Sequence, residues 1–156
     1  MLADFINPFL SSINNVLTEV VPSIQIHRGP LSKQKNPLTT KGCASLISIT
    51  GQIEGRVVLD MDKATAIKIS NAFIDEELDN FDVVSSTINE LANMICGGAI
   101  TILANSGRKV DISAPTMFLG VNMEIYDSNA VGDAIVVPVE TNYGNLYVNV
   151  AMTETT

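Results

Sequence analysis

Apolar residues recur three and four positions apart over residues 2–21, and polar residues fill the positions between them. This periodicity predicts an amphipathic helix that ends before Pro22. The dipeptide Asn7-Pro8 allows two interpretations of its beginning. Either Pro8 is the first helical residue after an Asn7 cap, or it lies inside a longer helix and bends it slightly.

Residues 28–42 are polar, basic and interrupted by two prolines. This composition predicts a loop, with a segment extended along a sheet edge as the alternative. Alternating apolar runs follow at 44–50 and 56–60, which predict two strands joined by a turn at 51–55.

Two further helices are predicted between residues 62 and 105. Asp62 is the expected N-cap of the first, which runs to about Phe73. The second begins between 79 and 82, runs to about 105 and is closed by Ser106-Gly107. The carboxylates just before and at its start suit the positive end of the helix dipole, so they need no functional explanation. They are Asp75, Glu76, Glu77, Asp79 and Asp82.

After Pro115 the chain returns to short alternating runs rich in Val and Ile, with turn-like segments at 127–133 and 141–144. The predicted strands are 117–120, 123–126, 134–140 and 145–152. Helices and strands therefore occur in separate blocks. We expect an α+β fold in which long helices pack on one face of a mostly antiparallel sheet. The 156 residues suffice for one domain spanning 1–156.

The charge is acidic and uneven. Residues 1–60 hold four acids and five bases, whereas residues 61–156 hold thirteen acids and four bases. The net charge of −8 argues against nucleic acid as the main partner, because phosphate binding uses clustered Lys and Arg. The acidic second part favours a positively charged partner.

Few residues suit metal or covalent chemistry. Cys43 and Cys96 are isolated and His27 is the sole histidine, which disfavours the usual His/Cys metal sites and nucleophile–histidine arrangements. Neither a signal peptide nor a membrane span is predicted, because the N-terminus lacks a basic region and apolar runs are short. We therefore expect a cytoplasmic protein with reduced thiols.

The predicted helix 79–105 separates into two faces on a helical wheel. One side carries apolar residues that we expect to be buried, namely Val84, Ile88, Leu91, Ile95, Ala99 and Ile102. Ser86, Glu90, Asn93 and Gly97 fall on the opposite side in one narrow row, called here the Glu90 stripe. Glu90 and Asn93 are i,i+3 neighbours, so both can act on one small target.

An exposed carboxylate can pair with a partner's cation, and an amide can hold a water with one donor and one acceptor. This pair suits hydrolysis in which the partner supplies electrophile and metal, as in phosphoryl transfer. A purely solvated helix face is the alternative. The spacing alone is a weak indication, since Glu77 and Asn80 repeat it.

Three segments, at 49–55, 88–94 and 110–116, resemble the CheC/CheX/FliY chemotaxis phosphatase family in order and spacing, and most of all its CheX-like members. Ser86, Glu90 and Asn93 match the family motif. Pro115 follows Asn93 after 21 residues, one fewer than the family spacing. Some members carry a second motif on the first helix. Its best counterpart here, Ser11, Asn15 and Thr18, lacks the Glu and Asn, as in CheX-like members with one site.

The resemblance implies that the chain dephosphorylates the phospho-aspartyl form of a CheY-like response regulator. Glu90 would pair with a regulator lysine and Asn93 would orient the attacking water. Ser86, Gly97 and Pro115 would contact the partner or shape the surface. Mg²⁺ would be held by the regulator, and no cofactor by this chain. The resemblance also implies a homodimer that pairs β-strands across subunits.

Two alternatives remain open from the sequence. One is a non-catalytic dimeric module that docks on a response regulator or a motor-switch component. The other is a dimeric scaffold that makes no use of Glu90.

Overall fold

The computed structural model describes residues 2–35, 37–78, 80–127 and 133–155. Its elements, in chain order, are α1 (Leu2–Val20), β1 (Ile26–Arg28), β2 (Ser32–Gln34), β3 (Leu38–Gly51), β4 (Ile53–Met61), α2 (Lys63–Ile74), α3 (Phe81–Asn105), β5 (Val110–Ile112), β6 (Thr116–Ile125), β7 (Ala134–Thr141) and β8 (Gly144–Glu154).

The strands form an antiparallel sheet in the order β1-β7-β8-β4-β3-β5, with β2 also pairing with β7 and β6 with β3. Alternate side chains of the central strands, such as Ile47, Val57 and Val148, join apolar residues of all three helices in one core. A smaller cluster of Leu38, Ala44 and Val58 lies apart from it. The predicted α+β architecture is confirmed.

Helix α1 has the predicted amphipathic face. Phe5, Phe9, Ile13 and Leu17 are buried, and they recur at the three- and four-residue spacing that placed them together. Pro8 lies inside the helix, so the second interpretation of Asn7-Pro8 is correct.

Local capping explains where the other two helices begin. The Asp62 carboxylate accepts the backbone N–H of Thr65 at 2.7 Å, and this hydrogen bond lowers the pKa of Asp62. At the start of α3, Asn80 Oδ1 accepts the backbone N–H of Asp82 at 2.8 Å. Both helices therefore begin as predicted, with Asn80 as the cap of the second. Asp79 lies outside the described residues.

The prediction of a loop over 28–42 is largely wrong. Strands β1 and β2 pair antiparallel with β7, which matches the extended-edge alternative, and β3 already begins at Leu38. Likewise, only Gln52 separates β3 from β4, because Gly55 continues the ladder instead of forming a turn. A Cβ at Gly55 would overlap the carbonyl oxygen of Ala151, so this close approach requires glycine.

The later strands also differ from prediction in their limits. The predicted strands 117–120 and 123–126 are one strand, β6, whose irregularity at Asn122 (φ 61°) accompanies a register shift against β3. Strand β5 was not predicted, because three residues carry too little pattern. Strands β7 and β8 agree with prediction. Of the predicted turn at 127–133, residues 128–132 lie outside the described part.

Helix α3 is long and apolar enough, by length and composition, to cross a membrane. Core helices of globular folds meet the same criterion. The expectation that no stretch is long and apolar enough to span a membrane is therefore wrong for α3, whose apolar side packs in the core beneath the sheet.

Candidate functional site

The buried side of α3 agrees with the helical wheel except near its end. Five of the six residues expected to be buried are so, namely Val84, Ile88, Leu91, Ile95 and Ala99. Ile102 was predicted wrongly, since it is 38% exposed and Leu103 takes the buried position. The buried row advances four residues at a time from Ile95 through Ala99 to Leu103, which leaves Ile102 at its margin. Ile102 lines a surface groove beside Asn7 and Ser11, whereas Leu103 points into the core.

The Glu90 stripe lies on the outer side of α3, as predicted. Ser86 and Glu90 are exposed, and Asn93 and Gly97 are half-buried. Neither the Glu90 nor the Asn93 side chain makes a hydrogen bond or ion pair within the described parts of the chain. A Cβ at Gly97 would have no heavy atom within 4 Å, so this residue leaves open space beside Asn93.

Two buried hydroxyls fix α3 where it carries the stripe. Ser45 Oγ, on β3, donates to Asn89 Oδ1 at 2.6 Å. From the other side, Ser12 Oγ, on α1, donates to the carbonyl oxygen of Ile95 at 2.6 Å. The two bonds bracket Glu90 and Asn93 along the helix. They therefore restrain both its rotation and its position relative to the sheet.

The sequence analysis did not identify these anchoring residues. A visible indication was a polar residue, Ser45, at a strand position expected to face the core. Its partner Asn89 could not be inferred, because the pairing depends on how α3 crosses β3.

Gly98 allows α1 to approach α3 closely. A Cβ at this position would overlap Ser12 Oγ, which occupies the space beside the helix. The small residue therefore permits the hydrogen bond from Ser12 to Ile95.

Pro115 does not lie on the stripe. It is half-buried between β5 and β6, where the chain stops pairing with the last residues of β3 and begins pairing at Leu46. The structure thus groups Ser86, Glu90, Asn93 and Gly97 on one helix face and places Pro115 at the sheet edge.

Other reactive groups are unsuited to chemistry here. Burial raises the pKa of both thiols, Cys43 and Cys96, to about 12, so they are protonated near neutral pH and poor nucleophiles. His27 is exposed on β1, and the described residues contain no group of three or more His, Cys, Asp or Glu that could hold a metal. The exposed Glu90 carboxylate and the half-buried Asn93 amide remain the candidate functional pair.

Known proteins resemble this chain in both sequence and fold. The chemotaxis phosphatase CheX family model matches residues 43–140. The CheY-P phosphatase CheX of Thermotoga maritima is 29% identical over 127 residues, covering 80% of this chain and 81% of that protein.

Solved structures superpose over nearly the whole chain. A CheC-like superfamily protein from Shewanella sp. PV-4 has a TM-score of 0.86 at 28% identity and covers 98% of this chain and 99% of its own. CheX in a CheX–CheY–BeF3–Mg²⁺ complex from Borrelia burgdorferi has a TM-score of 0.83 at 29% identity, covering 96% of this chain and 98% of its own. The family match spans well over half of the residues and the fold agrees throughout, so the chain belongs to the chemotaxis phosphatase CheX family.

Proposed function

We propose that this protein accelerates hydrolysis of the phospho-aspartyl group of a CheY-like response regulator. The observation that carries the proposal is the pair Glu90 and Asn93 on a helix fixed by hydrogen bonds in a CheX-family chain. Neither side chain bonds to another described residue. The Thermotoga relative named CheY-P phosphatase and the Borrelia CheX–CheY complex support the choice of substrate.

Glu90 pairs with a lysine at the regulator's active site. Its carboxylate is exposed and forms no ion pair with the residues that the structure describes, so no such contact has to break before a partner's ammonium approaches. The pair becomes desolvated when the surfaces meet, which strengthens the attraction and orients the two proteins.

Asn93 orients the water that attacks phosphorus. Its amide oxygen accepts a hydrogen bond from the water while its NH₂ group donates to an oxygen. The water oxygen forms a bond to phosphorus as the bond to the regulator's aspartate oxygen breaks. The products are inorganic phosphate and the free aspartate carboxylate. The amide contributes positioning only, so it need not ionise.

The remaining site residues contribute shape, and the regulator contributes the metal. Gly97 leaves room beside Asn93 for the partner, and Ser86 extends the stripe by one helical turn toward the start of α3. Pro115 shapes the edge of the sheet just before β6 begins. Mg²⁺ belongs to the regulator, where it neutralises charge on the phosphoryl oxygens.

The homodimer is also part of the proposal. Strand β6 pairs with β3 along one edge, and no other described strand pairs with its outer edge. Leu119 and Val121, on this strand, are 46% and 63% exposed. A long apolar edge favours pairing with another strand, and the β6 edge of a second copy is the proposed occupant.

The decisive experiment follows loss of phosphate from a phosphorylated CheY-like regulator, with and without this protein. Wild type is expected to shorten the phosphate lifetime, and Asn93→Ala to reduce the acceleration by about a hundredfold. Asn105→Ala, an exposed asparagine at the end of the same helix, is the matched control. Asn93→Ala with wild-type acceleration would disprove the assigned role.

The non-catalytic alternative gives a different result in the same assay. A docking module would bind the phosphorylated regulator and leave its phosphate lifetime unchanged. A panel of phosphorylated receiver domains extends the assay to the identity of the substrate.

A further inference from the structure

A polar cavity of about 280 Å³ lies on the face of the sheet opposite α3. Ser45, which bonds to α3, and its neighbour Ala44 point to opposite faces, and Ala44 is paired with Asp60. Asp60 lines the cavity together with Lys33, Gln34, Lys41, Tyr147 and Asn149. We call it the Asp60 cavity. Its position separates it from the Glu90 stripe.

Asp60 holds a buried oxygen that lacks a hydrogen-bond donor. The residue is 1% exposed, and its Oδ1 accepts the backbone N–H of Lys41 at 3.2 Å. Its Oδ2 has no hydrogen-bond partner in the described parts of the chain. A carboxylate oxygen removed from water without a donor is costly, so a donor is expected at this position.

A network of hydrogen-bonded polar side chains lies beside Asp60. Asn149 Nδ2 donates to Gln34 Oε1 at 2.8 Å, and Arg56 Nη1 donates to the Asn149 side-chain and backbone oxygens. Arg56 also forms a buried ion pair with Asp127 at 2.6 Å. These side chains bond to one another, and none of the described ones donates to Asp60 Oδ2.

The charges that line the cavity indicate the kind of ligand. Lys33 and Lys41 contribute two positive charges and Asp60 one negative charge, a net of +1. The Lys41 ammonium lies 4.3 Å from the centroid of the Tyr147 ring, so it is held over the cavity wall. A bare metal cation is disfavoured by the two lysines. A molecule that carries both a hydrogen-bond donor and an anionic group would suit the cavity, because the donor could reach Asp60 and the anionic group could pair with the lysines.

We propose that the Asp60 cavity binds a small free amino acid. Its ammonium donates to Asp60 Oδ2, its carboxylate or carboxylates neutralise Lys33 and Lys41, and its carbon chain lies along the Tyr147 ring. Burial raises the pKa of Asp60 to about 6, which leaves the carboxylate mostly ionised at neutral pH. The volume corresponds to about nine water molecules, which suits amino acids between glycine and glutamate in size.

The proposal is tested on the full chain by titrating isotope-labelled protein with glycine, L-aspartate and L-glutamate while recording amide NMR shifts. Saturable shifts are expected at Gln34, Lys41 and Tyr147 with at least one of them. Succinate has the aspartate skeleton without the amino group, so it is expected to bind at least about tenfold more weakly. Equal binding of succinate would overturn the role of Asp60.

Variants test the Asp60 end and the lysine end of the cavity separately. Asp60→Asn and Lys41→Ala are each expected to weaken binding about tenfold. Lys35→Ala, an exposed lysine that does not line the cavity, is expected to leave binding unchanged. Lys41 is exposed, so its variant reports on binding even if Asp60→Asn does not fold. Absence of saturable shifts with all three amino acids would overturn the proposal and assign the Asp60 oxygen to water alone.

Discussion

Ser45 on β3 and Asn89 on α3 are joined by a 2.6 Å hydrogen bond in which the serine hydroxyl donates. Asn89 immediately precedes Glu90 and lies one helical turn before Asn93. The bond therefore connects a central strand of the sheet to the turn of helix that carries both proposed functional side chains. A shift of this turn would move the carboxylate and the amide together.

Ser45→Ala is expected to lower the maximal rate of regulator dephosphorylation about tenfold with little change in KM, because the surface remains while the positions of Glu90 and Asn93 relax. Steady-state kinetics separate the two constants. Asn89→Asp keeps the acceptor oxygen and is expected to recover most of the rate that Asn89→Leu loses.

Thr87→Val is the matched control for these variants. Its hydroxyl also bonds on α3, but to the carbonyl oxygen of Val83 at 2.7 Å within the helix itself. We expect Thr87→Val to retain the wild-type rate. A similar loss of rate in this control would indicate general loosening of the helix instead of a positioning role for Ser45.

Substitutions on the two sides of α3 are expected to differ in their effect on the free energy of unfolding. Ile88→Ala should lower the free energy of unfolding by about 2–5 kcal/mol, because it opens a cavity in the main core. Ile102→Ala should cost less than Ile88→Ala, since that side chain is 38% exposed. Glu90→Ala should change stability by less than about 0.5 kcal/mol. Denaturant unfolding measures all three, and unfolding of Glu90→Ala would contradict the assigned helix face.

Asp60 should make stability depend on pH in a particular direction. Burial, the main cause, raises its pKa from 3.8 to about 6, so the folded state binds a proton more tightly than the unfolded chain. This contribution is fully present below pH 4 and is lost as the pH rises to about 6. Lys41 and Lys33 also line the cavity.

Comparison of wild type with Asp60→Asn isolates the effect from other carboxylates. Between pH 4 and pH 7, wild type should lose about 1–3 kcal/mol of stability relative to Asp60→Asn. Thermal or denaturant unfolding at both pH values measures this difference. An unchanged difference would contradict the raised pKa.

The proposed β6 edge predicts the state of association. Val121→Lys adds a charge to this edge and should convert a dimer into a monomer, because a lysine on an edge strand opposes pairing with another strand. Sedimentation measures the mass in solution. Lys35→Glu, on an exposed segment outside this strand, should leave the dimer intact, and a wild-type monomer would rule out the proposed pairing.

Local patterns predicted the helices well and the sheet only in part. The limits of α2 and α3 depend on caps at Asp62 and Asn80 and on apolar spacing, all of which lie within a few residues. Strands β1, β2 and β5 are three residues long and exist because distant strands offer pairing partners. Their own sequences contain too little alternation to indicate them.

The candidate site shows the same division. The Glu90 stripe follows from the period of one helix, so the sequence sufficed to place its four residues on one face. Whether Ile102 or Leu103 is buried depends on how α3 packs against its neighbours, and the Ser45–Asn89 bond depends on where α3 lies against β3. No pattern within a single element contains that information.

The pairing of β1 with β7 also has a consequence for folding. Ile26 pairs with Thr141. Strand β1 is synthesised early, but it can pair with β7 only after almost the whole chain has been made. The same holds for Thr39 and Glu124 in β3 and β6. Contacts between such distant parts of a chain slow folding, because the entropy of closing a long loop is lost before the contacts form. We therefore expect refolding to be slow relative to helical proteins of this length, with the helices formed before the outer strands join the sheet.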